Sequence, residues 1–238
     1  MANTVIHKAN TRGVANHGWL QSHHSFSFAN YYNPERVHFG ALRVLNDDSV
    51  AAGMGFGTHP HDNMEIISIP LEGDLQHKDS MGNVAVIKNG DVQVMSAGTG
   101  IAHSEMNKNT DKPVKFLQIW VIPNKRNVIP RYGQITLNEN DRHNRFQQIV
   151  SPNEGSEGVW IHQDAWFHLG KFDNGQSANY EIKKKGNGVY AFILSGDVSI
   201  DGNDLSKRDA IGIWNTESIS FKMNSDSELL LMEVPMEF

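Results

Sequence analysis

Short runs of β-branched and aromatic residues, separated by turns, dominate the pattern of hydrophobic and polar positions in this chain. Such runs are typical of β-strands. Eight are predicted: Val37–Leu45, Glu65–Leu71, Val84–Ile87, Val92–Met95, Lys115–Ile122, Val189–Leu194, Val198–Ile200 and Leu229–Val234. Turn pairs such as Gly73-Asp74 and Gly196-Asp197 separate them at the spacing, about 8 to 12 residues, of an antiparallel sandwich or barrel. No stretch sustains the period of a long amphipathic helix, so the pattern predicts an all-β protein.

An internal repeat indicates how the strands are grouped. Residues 70–75 resemble residues 193–198, which aligns Gly73 with Gly196. Two copies of one β-barrel unit explain this resemblance, and the polar, strand-poor stretch Pro123–Arg145 would join them. The prediction is therefore two domains, with residues 1–140 in the first and residues 141–238 in the second.

Composition narrows the possible chemistry. The 238 residues include no Cys, which excludes disulfides, thiolate-bound metals and thiol nucleophiles. A net charge of −6 provides no field to attract phosphate backbones, so direct binding of nucleic acid is not expected. Met1–Lys8 lack the apolar core of a signal segment, and the apolar runs are too short to cross a bilayer, so we expect a cytoplasmic protein with no membrane partner. The 12 His are about twice ordinary usage and favour metal or acid–base chemistry.

Two histidine-containing pairs form a candidate metal site. His59 and His61 are two residues apart, and so are His103 and Glu105. On a strand, residues with this spacing project from the same face about 6.6 Å apart. Three imidazoles and a carboxylate favour a divalent first-row transition metal over calcium or magnesium. Four protein ligands also leave open positions on such an ion, where a substrate or dioxygen could bind.

The glycines and histidines around these pairs resemble the two cupin motifs. Gly53-x5-His59-x-His61-x3-Glu65-x7-Gly73 is similar to the first motif, and Gly90-x5-Ser96-x-Gly98 followed by His103-x3-Asn107 is similar to the second. Within the cupins, His103-Ser104-Glu105 and the N-terminal blocks Arg12–Leu20 and Ser25–Tyr32 resemble the pirin family. Ser96 stands where cupins often have Pro.

This resemblance implies a bicupin, in which two antiparallel barrels pack face to face and the N-terminal barrel alone binds metal. It places the metal on His59, His61, His103 and Glu105. Iron is the expected metal, and copper, nickel, manganese and zinc remain compatible. Because bacterial pirins include enzymes that open the flavonol quercetin with dioxygen, the leading hypothesis is a quercetin 2,3-dioxygenase. Glu105 would then act as the base toward the acidic 3-hydroxyl, and dioxygen would add across the heterocycle with loss of carbon monoxide.

A second hypothesis follows from the eukaryotic members, which are nuclear co-regulators of transcription factors. This chain would then be a non-enzymatic regulator, in which the redox state of iron changes how its surface meets a protein partner. The residues do not identify the physiological substrate, the native metal or the oligomeric state. The pairing of two barrels within one chain is compatible with a monomer.

Further candidate residues lie around the motifs. Strand alternation from His61 would direct Glu65 into the same barrel interior, where it could support the ligands or serve as an alternative base. Four apolar residues beside the motifs are candidates for the wall of a substrate pocket: Phe26, Phe28, Met54 and Phe56. Carrying the ligand positions onto the second copy gives Ile182, Lys184, Phe221 and Met223, which predicts a second barrel without metal ligands.

Overall fold

The computed structural model describes residues 2–238, and it is built almost entirely of antiparallel strands. The first twelve strands are β1 (Asn3–His7), β2 (Gly13–Asn16), β3 (Leu20–His24), β4 (Leu42–Val50), β5 (Gly55–His61), β6 (Glu65–Glu72), β7 (Leu75–Asp79), β8 (Val84–Ile87), β9 (Asp91–Ser96), β10 (Ile101–Asn107), β11 (Val114–Val121) and β12 (Arg131–Thr136). The remaining ten are β13 (Phe146–Ser151), β14 (Val159–Trp160), β15 (Trp166–Phe172), β16 (Ser177–Glu181), β17 (Asn187–Ser195), β18 (Asp197–Ile200), β19 (Asn203–Ser206), β20 (Ala210–Trp214), β21 (Ser218–Met223) and β22 (Ser227–Pro235).

Helical structure in the described residues consists of two short 3-10 turns, Ala9–Thr11 and Glu139–Arg142. Within residues 2–238, no helix has the length and apolar character that crossing a bilayer requires. The prediction of an all-β protein is confirmed.

The strands form two copies of one sandwich. The first copy pairs a seven-stranded sheet of order β12-β9-β6-β11-β4-β3-β2 with a four-stranded sheet of order β5-β10-β7-β8. The second pairs a seven-stranded sheet of order β1-β20-β17-β22-β15-β13-β14 with a four-stranded sheet of order β16-β21-β18-β19. Gly73 and Gly196 both adopt positive φ, at 77° and 81°, in equivalent turns. The internal repeat is thus a structural repeat of two barrels.

The largest hydrophobic cluster lies where the two seven-stranded sheets meet. It joins side chains of the first barrel, such as Leu45 and Ile67, to side chains of the second, such as Phe167 and Tyr190. The two barrels therefore pack face to face through these sheets. This is the arrangement that the resemblance to bicupins implies.

Two segments depart from the predicted pattern at the barrel boundary. The stretch Pro123–Arg145, predicted to be strand-poor, contains β12, which adds to the edge of the first seven-stranded sheet beside β9. In exchange, β1 pairs with β20 in the second seven-stranded sheet. The proposed first domain, residues 1–140, therefore includes one strand, Asn3–His7, that belongs to a sheet of the second barrel.

One predicted strand is displaced along the chain. Val37–Leu45 was expected to be extended, whereas β4 covers Leu42–Val50. A turn precedes it, where Phe39 pairs with Leu42 and Gly40 has a φ of 50°. The strand continues beyond Leu45 through polar residues, of which Asn46 and Asp48 are buried and face the interior of the first barrel. Asp47, on the opposite face, forms ion pairs with Arg12 and Arg208.

Candidate metal centre

Three histidines converge inside the first barrel. His59 and His103 are direct cross-strand neighbours on β5 and β10, and His61 follows His59 on the same strand. Their ring centroids lie 4.5 Å apart for His59 and His103, and 4.9 Å apart for each pair that includes His61. One ring nitrogen from each residue falls within 4.8 Å of the others. The structure therefore brings together the three histidines that the spacing singled out.

The protonation of these rings suits a metal ion. His59 Nδ1 lies 2.8 Å from the Gly57 carbonyl, which can only accept, so Nδ1 is the donor and Nε2 is the nitrogen that is available to a metal. His103 is 2% exposed, and neither of its ring nitrogens has a hydrogen-bond partner. Burial, together with the neighbouring His59 and His61, lowers the pKa of His103 to about 3. Burial also lowers the pKa of His61 to about 4.

Neutral imidazoles with free lone pairs are the form that binds a metal. Unpartnered buried ring nitrogens are uncommon in folded proteins, because an unpaired polar atom in the interior costs free energy. The three histidines therefore fit a divalent transition metal.

Glu105 faces the same interior but is held by other groups. It is 2% exposed, and the Gln118 amide donates to its Oε2 at 2.7 Å. The Ser68 hydroxyl lies 3.1 Å from Glu105 Oε1 and 2.8 Å from Gln118 Oε1. The Ser68 hydroxyl can donate to either oxygen, and its hydrogen bond to Glu105, like that of Gln118, favours the ionised carboxylate. Burial acts in the opposite direction, and it raises the pKa of Glu105 to about 7.

A β-bulge on β5 shapes the wall beside the histidines. The register between β5 and β10 shifts between His103 and Glu105, so that Phe56 pairs with Glu105 while His59 pairs with His103. An extra residue in one strand reverses the alternation of the side chains beyond it. Phe56 and His59, three residues apart, therefore line the same cavity.

That cavity has a volume of about 370 Å³. Ligand pockets commonly start near this size, about 300 Å³, and combine apolar walls with a few polar groups. Its lining includes Trp19, His24, Phe28, Asn46, Asp48, Phe56, His59, Glu105, Gln118 and Trp120. The cavity is thus an aromatic chamber with one histidine of the triad and the buried carboxylate in its wall.

Of the four predicted pocket residues, two line the cavity and two do not. Phe28 and Phe56 line the cavity, which keeps both as candidates for the wall of a substrate pocket. Phe26 instead packs in the core between the barrels, 5.2 Å from the ring of Tyr190. Met54 lies in the turn before β5 with 43% of its surface exposed and is not among the residues lining the cavity. Neither residue is in a strand position that faces the histidines.

The predicted orientation of Glu65 is wrong, because the strand does not continue unbroken from His61. β5 ends at His61, Asn63 adopts a φ of 44°, and Glu65 begins β6 in the opposite sheet. Glu65 accepts a hydrogen bond from the Ser96 hydroxyl at 2.7 Å and lies beside Arg131. It alternates with Ile66, so it shares the face of Ile67, which packs between the barrels. Burial raises the pKa of Glu65 to about 7.

Several lining residues were not predicted. Trp19 and Trp120 supply aromatic walls, and Gln118 positions Glu105. Asn46 and Asp48 extend inward from the part of β4 that lies beyond its predicted end. No signal in the sequence indicated them, because Asn46 and Asp48 belong to a run of four polar residues that predicts the end of a strand.

The second barrel has no counterpart of the triad among the described residues. Alignment of Gly73 with Gly196 makes the pair Leu75–Asn107 equivalent to the pair Val198–Met223. The register then gives the equivalents of the four predicted ligand residues as Tyr180, Ile182, Ile219 and Phe221. Each of the four lies two residues before its predicted equivalent, because the hairpins of the two copies differ in length. Tyr180, Ile219 and Phe221 pack in a continuous hydrophobic cluster, with Ile182 against it.

Two packed antiparallel barrels, the first enclosing a histidine triad beside a buried carboxylate, define a bicupin with a candidate metal centre in its N-terminal domain. The family model named Pirin matches residues 6–121, and a model described as a quercetinase C-terminal cupin domain matches residues 148–234. The chain belongs to the pirin family.

Known relatives resemble it along nearly its whole length. A protein named quercetin 2,3-dioxygenase from Escherichia coli (strain K12) is 42% identical over 97% of this chain and 98% of its own length. A pirin-like protein from Caulobacter vibrioides is 37% identical over 93% of this chain and 95% of its own length. The crystal structure of the bacterial pirin YhhW from Escherichia coli in complex with nickel(II) is 41% identical, with a TM-score of 0.92, and the match covers 98% of this chain and 99% of that chain.

Proposed function

We propose that this protein is a metal-dependent dioxygenase that cleaves a flavonol such as quercetin with dioxygen. The observation that carries the proposal is the aromatic cavity whose wall includes both a member of the histidine triad and the buried Glu105 carboxyl. The relative named quercetin 2,3-dioxygenase supports the choice of substrate. A flat, aromatic molecule with an acidic hydroxyl matches the shape and chemistry of these walls.

The proposed metal is one divalent transition ion held by His59, His61 and His103, with Glu105 as the fourth ligand. Imidazole nitrogens and one carboxylate suit iron, copper, nickel, manganese or zinc, and we propose iron. When bound, a redox-active ion supplies the electron transfer that dioxygen chemistry needs and that no side chain provides. The nickel(II) complex of YhhW supports a divalent ion in this type of barrel.

Glu105 is the proposed base toward the 3-hydroxyl of the flavonol. With a pKa raised to about 7 by burial, it can accept a proton near neutral pH, where general bases are most effective. The Ser68 hydroxyl donates to Oε1 and the Gln118 amide donates to Oε2, and both hydrogen bonds favour the ionised carboxylate. These two residues therefore orient the carboxyl and help to keep it in the form that can accept the proton.

The aromatic walls hold the substrate and exclude water. Phe28 and Trp120 meet edge to face with ring centroids 5.4 Å apart, and Trp19 and Phe56 meet in the same way at 5.4 Å. Such rings give a flat ligand large apolar contact at little entropic cost. Exclusion of water strengthens the electrostatic effect of the carboxyl and the imidazoles on the bound hydroxyl.

Oxygen uptake by defined metal forms tests the proposal. The purified protein would be stripped of metal, loaded in turn with iron, copper, nickel, manganese or zinc, and supplied with a panel of flavonols. Uptake that requires both a flavonol and one of the metals is the expected result. Absence of uptake in every loaded form, at full metal occupancy, would overturn it.

A further inference from the structure

A row of polar side chains crosses the floor of the first barrel. It runs over five adjacent strands, each member being the cross-strand neighbour of the next: His24 on β3, Asn46 on β4, Gln118 on β11, Ser68 on β6 and Gln93 on β9. All five side chains are buried. Asp48 lies on the same face of β4 as Asn46, two residues further along. We call His24, Asn46, Gln118, Ser68 and Gln93 the polar row.

The polar row divides the apolar interior of this barrel. One small cluster, including Leu75 and Phe116, lies on one side, and another, including Ile66 and Met95, lies on the other. Burying polar side chains costs free energy unless each of them finds a partner. The polar row is therefore expected to have a role other than stabilising the fold.

The second barrel shows that the architecture does not need the whole row. Equivalent positions on β13, β15, β22, β17 and β20 are Gln148, His168, Leu231, Ala191 and Ile211. The first two residues are polar, whereas the last three are apolar and belong to one continuous hydrophobic cluster. The same fold is thus built with an apolar floor over three of the five strands where no histidine triad lies above it.

Part of the polar row already has a role. Gln118 and Ser68 hold Glu105. His24 Nδ1, Asn46 Oδ1 and Asp48 Oδ1, in contrast, are buried and have no hydrogen-bond partner among the described residues. All three residues line the aromatic cavity together with His59 and Glu105.

We propose that His24, Asn46 and Asp48 form a hydroxyl-binding subsite, which selects flat aromatic substrates that carry hydroxyl groups in addition to the one held at Glu105. This inference rests on the proposed function and specifies which flavonols the site prefers. The Asn46 and Asp48 oxygens accept hydrogen bonds from phenolic hydroxyls, and the His24 ring donates or accepts according to its tautomer. A flavonol whose only hydroxyl is the 3-hydroxyl leaves these atoms unpaired. A site with unpaired buried polar groups discriminates strongly against such an analogue.

Two substrates and three variants test the subsite. Quercetin carries ring hydroxyls that 3-hydroxyflavone lacks, and both share the 3-hydroxyl. Asn46→Leu and Asp48→Leu remove the acceptors at similar volume, and His168→Leu is the matched control at the Asn46 position of the second barrel. For each protein, anaerobic titration gives the dissociation constant of each flavonol, oxygen uptake gives kcat/KM, and elemental analysis gives the metal content.

The wild type is expected to prefer quercetin in both binding and kcat/KM. Asn46→Leu or Asp48→Leu should reduce this preference about 10-fold or more, which corresponds to the loss of one hydrogen bond to a buried polar group. The His168→Leu control should keep the wild-type preference, and all variants should keep the wild-type metal content.

Equal losses for the two flavonols, or an unchanged preference in both variants, would refute the subsite. Anaerobic binding keeps this test separate from the proposed function. If no flavonol supports oxygen uptake, the dioxygenase proposal fails, while the binding preference still decides whether the subsite exists.

Discussion

His59 and His103 face each other across the β5–β10 pair, with ring centroids 4.5 Å apart. Their equivalents in the second barrel, Tyr180 and Ile219, are also cross-strand neighbours. The two barrels therefore present the same pair of backbone positions, and only the side chains differ. A metal centre needs no special backbone here, because ordinary strand pairing already brings the two imidazoles together.

Metal binding should depend on the first barrel. His103→Ala removes the most buried of the three imidazoles. Elemental analysis after dialysis should therefore show that the variant no longer holds stoichiometric metal. The affinity should fall by more than the roughly 10 to 100-fold that residues supporting a ligand contribute. Lys184→Ala, which breaks an exposed ion pair with Asp164, is the control and should keep full occupancy. A His103→Ala protein with full occupancy would exclude these ligands.

Glu105→Gln should separate metal binding from base chemistry. The amide keeps the size of the side chain and one carbonyl oxygen, so the three imidazoles should still hold metal at high metal concentration. A base typically contributes about 10² to 10⁴-fold, so the rate per bound metal should fall at least about 10²-fold. Raising the pH should partly rescue turnover, because more of the flavonol ionises in solution. A near wild-type rate per metal would show that Glu105 is not the base.

Glu65→Gln provides the contrasting case. Its carboxyl is bonded to Ser96 beside Arg131, on the face of β6 that packs between the barrels. Metal content and the rate per metal should therefore match those of the wild type. A loss of rate as large as that of Glu105→Gln would indicate that Glu65 takes part in the proton transfer.

Acid should destabilise the second barrel through His168. Burial, followed by the charge of Lys183, lowers the pKa of His168 to about 3, and its ring packs 5.0 Å from that of Tyr180. Because the unfolded ring binds a proton near pH 6.5 and the folded ring does not, stability is lost as the pH falls below about 6.5. The loss from this residue should reach about 2 kcal/mol at pH 5.

Denaturant unfolding of wild type and His168→Leu at pH 7 and pH 5 measures this contribution. Other buried histidines titrate in both proteins, so the informative quantity is the difference between their losses. The wild type should lose about 2 kcal/mol more than His168→Leu over this interval. Equal losses would mean that the folded His168 binds a proton as readily as the unfolded residue.

Much of the fold followed from local pattern. Seven of the eight predicted strands, all except Val37–Leu45, appear within a few residues of their predicted bounds, because β-branched runs and glycine turns are local signals. The strands β7, β19, β20 and β21, which lie between them, were not among the predicted runs. The exchange of β1 and β12 between the two seven-stranded sheets could not be predicted in this way. An edge strand pairs with whichever sheet edge lies nearby, and that depends on how the two barrels pack.

The histidines of the site were predictable because alternation places residues two apart on one face. Alternation failed where the backbone turns or bulges. The turn at Asn63 directs the Glu65 side chain away from the histidines, and the bulge on β5 brings Phe56 into the same cavity wall as His59. Asn46 and Asp48 were missed for a different reason. Polar residues at the end of a hydrophobic run predict the end of a strand, whereas here they face a cavity that only the folded barrel creates.

The stoichiometry of carbon monoxide release tests the central claim most directly. Metal-loaded protein would be mixed with quercetin in air-saturated buffer, and dissolved oxygen and carbon monoxide would be measured in the same vessel, with metal-free protein as the control. The account predicts that the two gases change in equimolar amounts, and only in the metal-loaded sample. Oxygen uptake without carbon monoxide, or equal rates with and without metal, would contradict a metal-dependent flavonol dioxygenase.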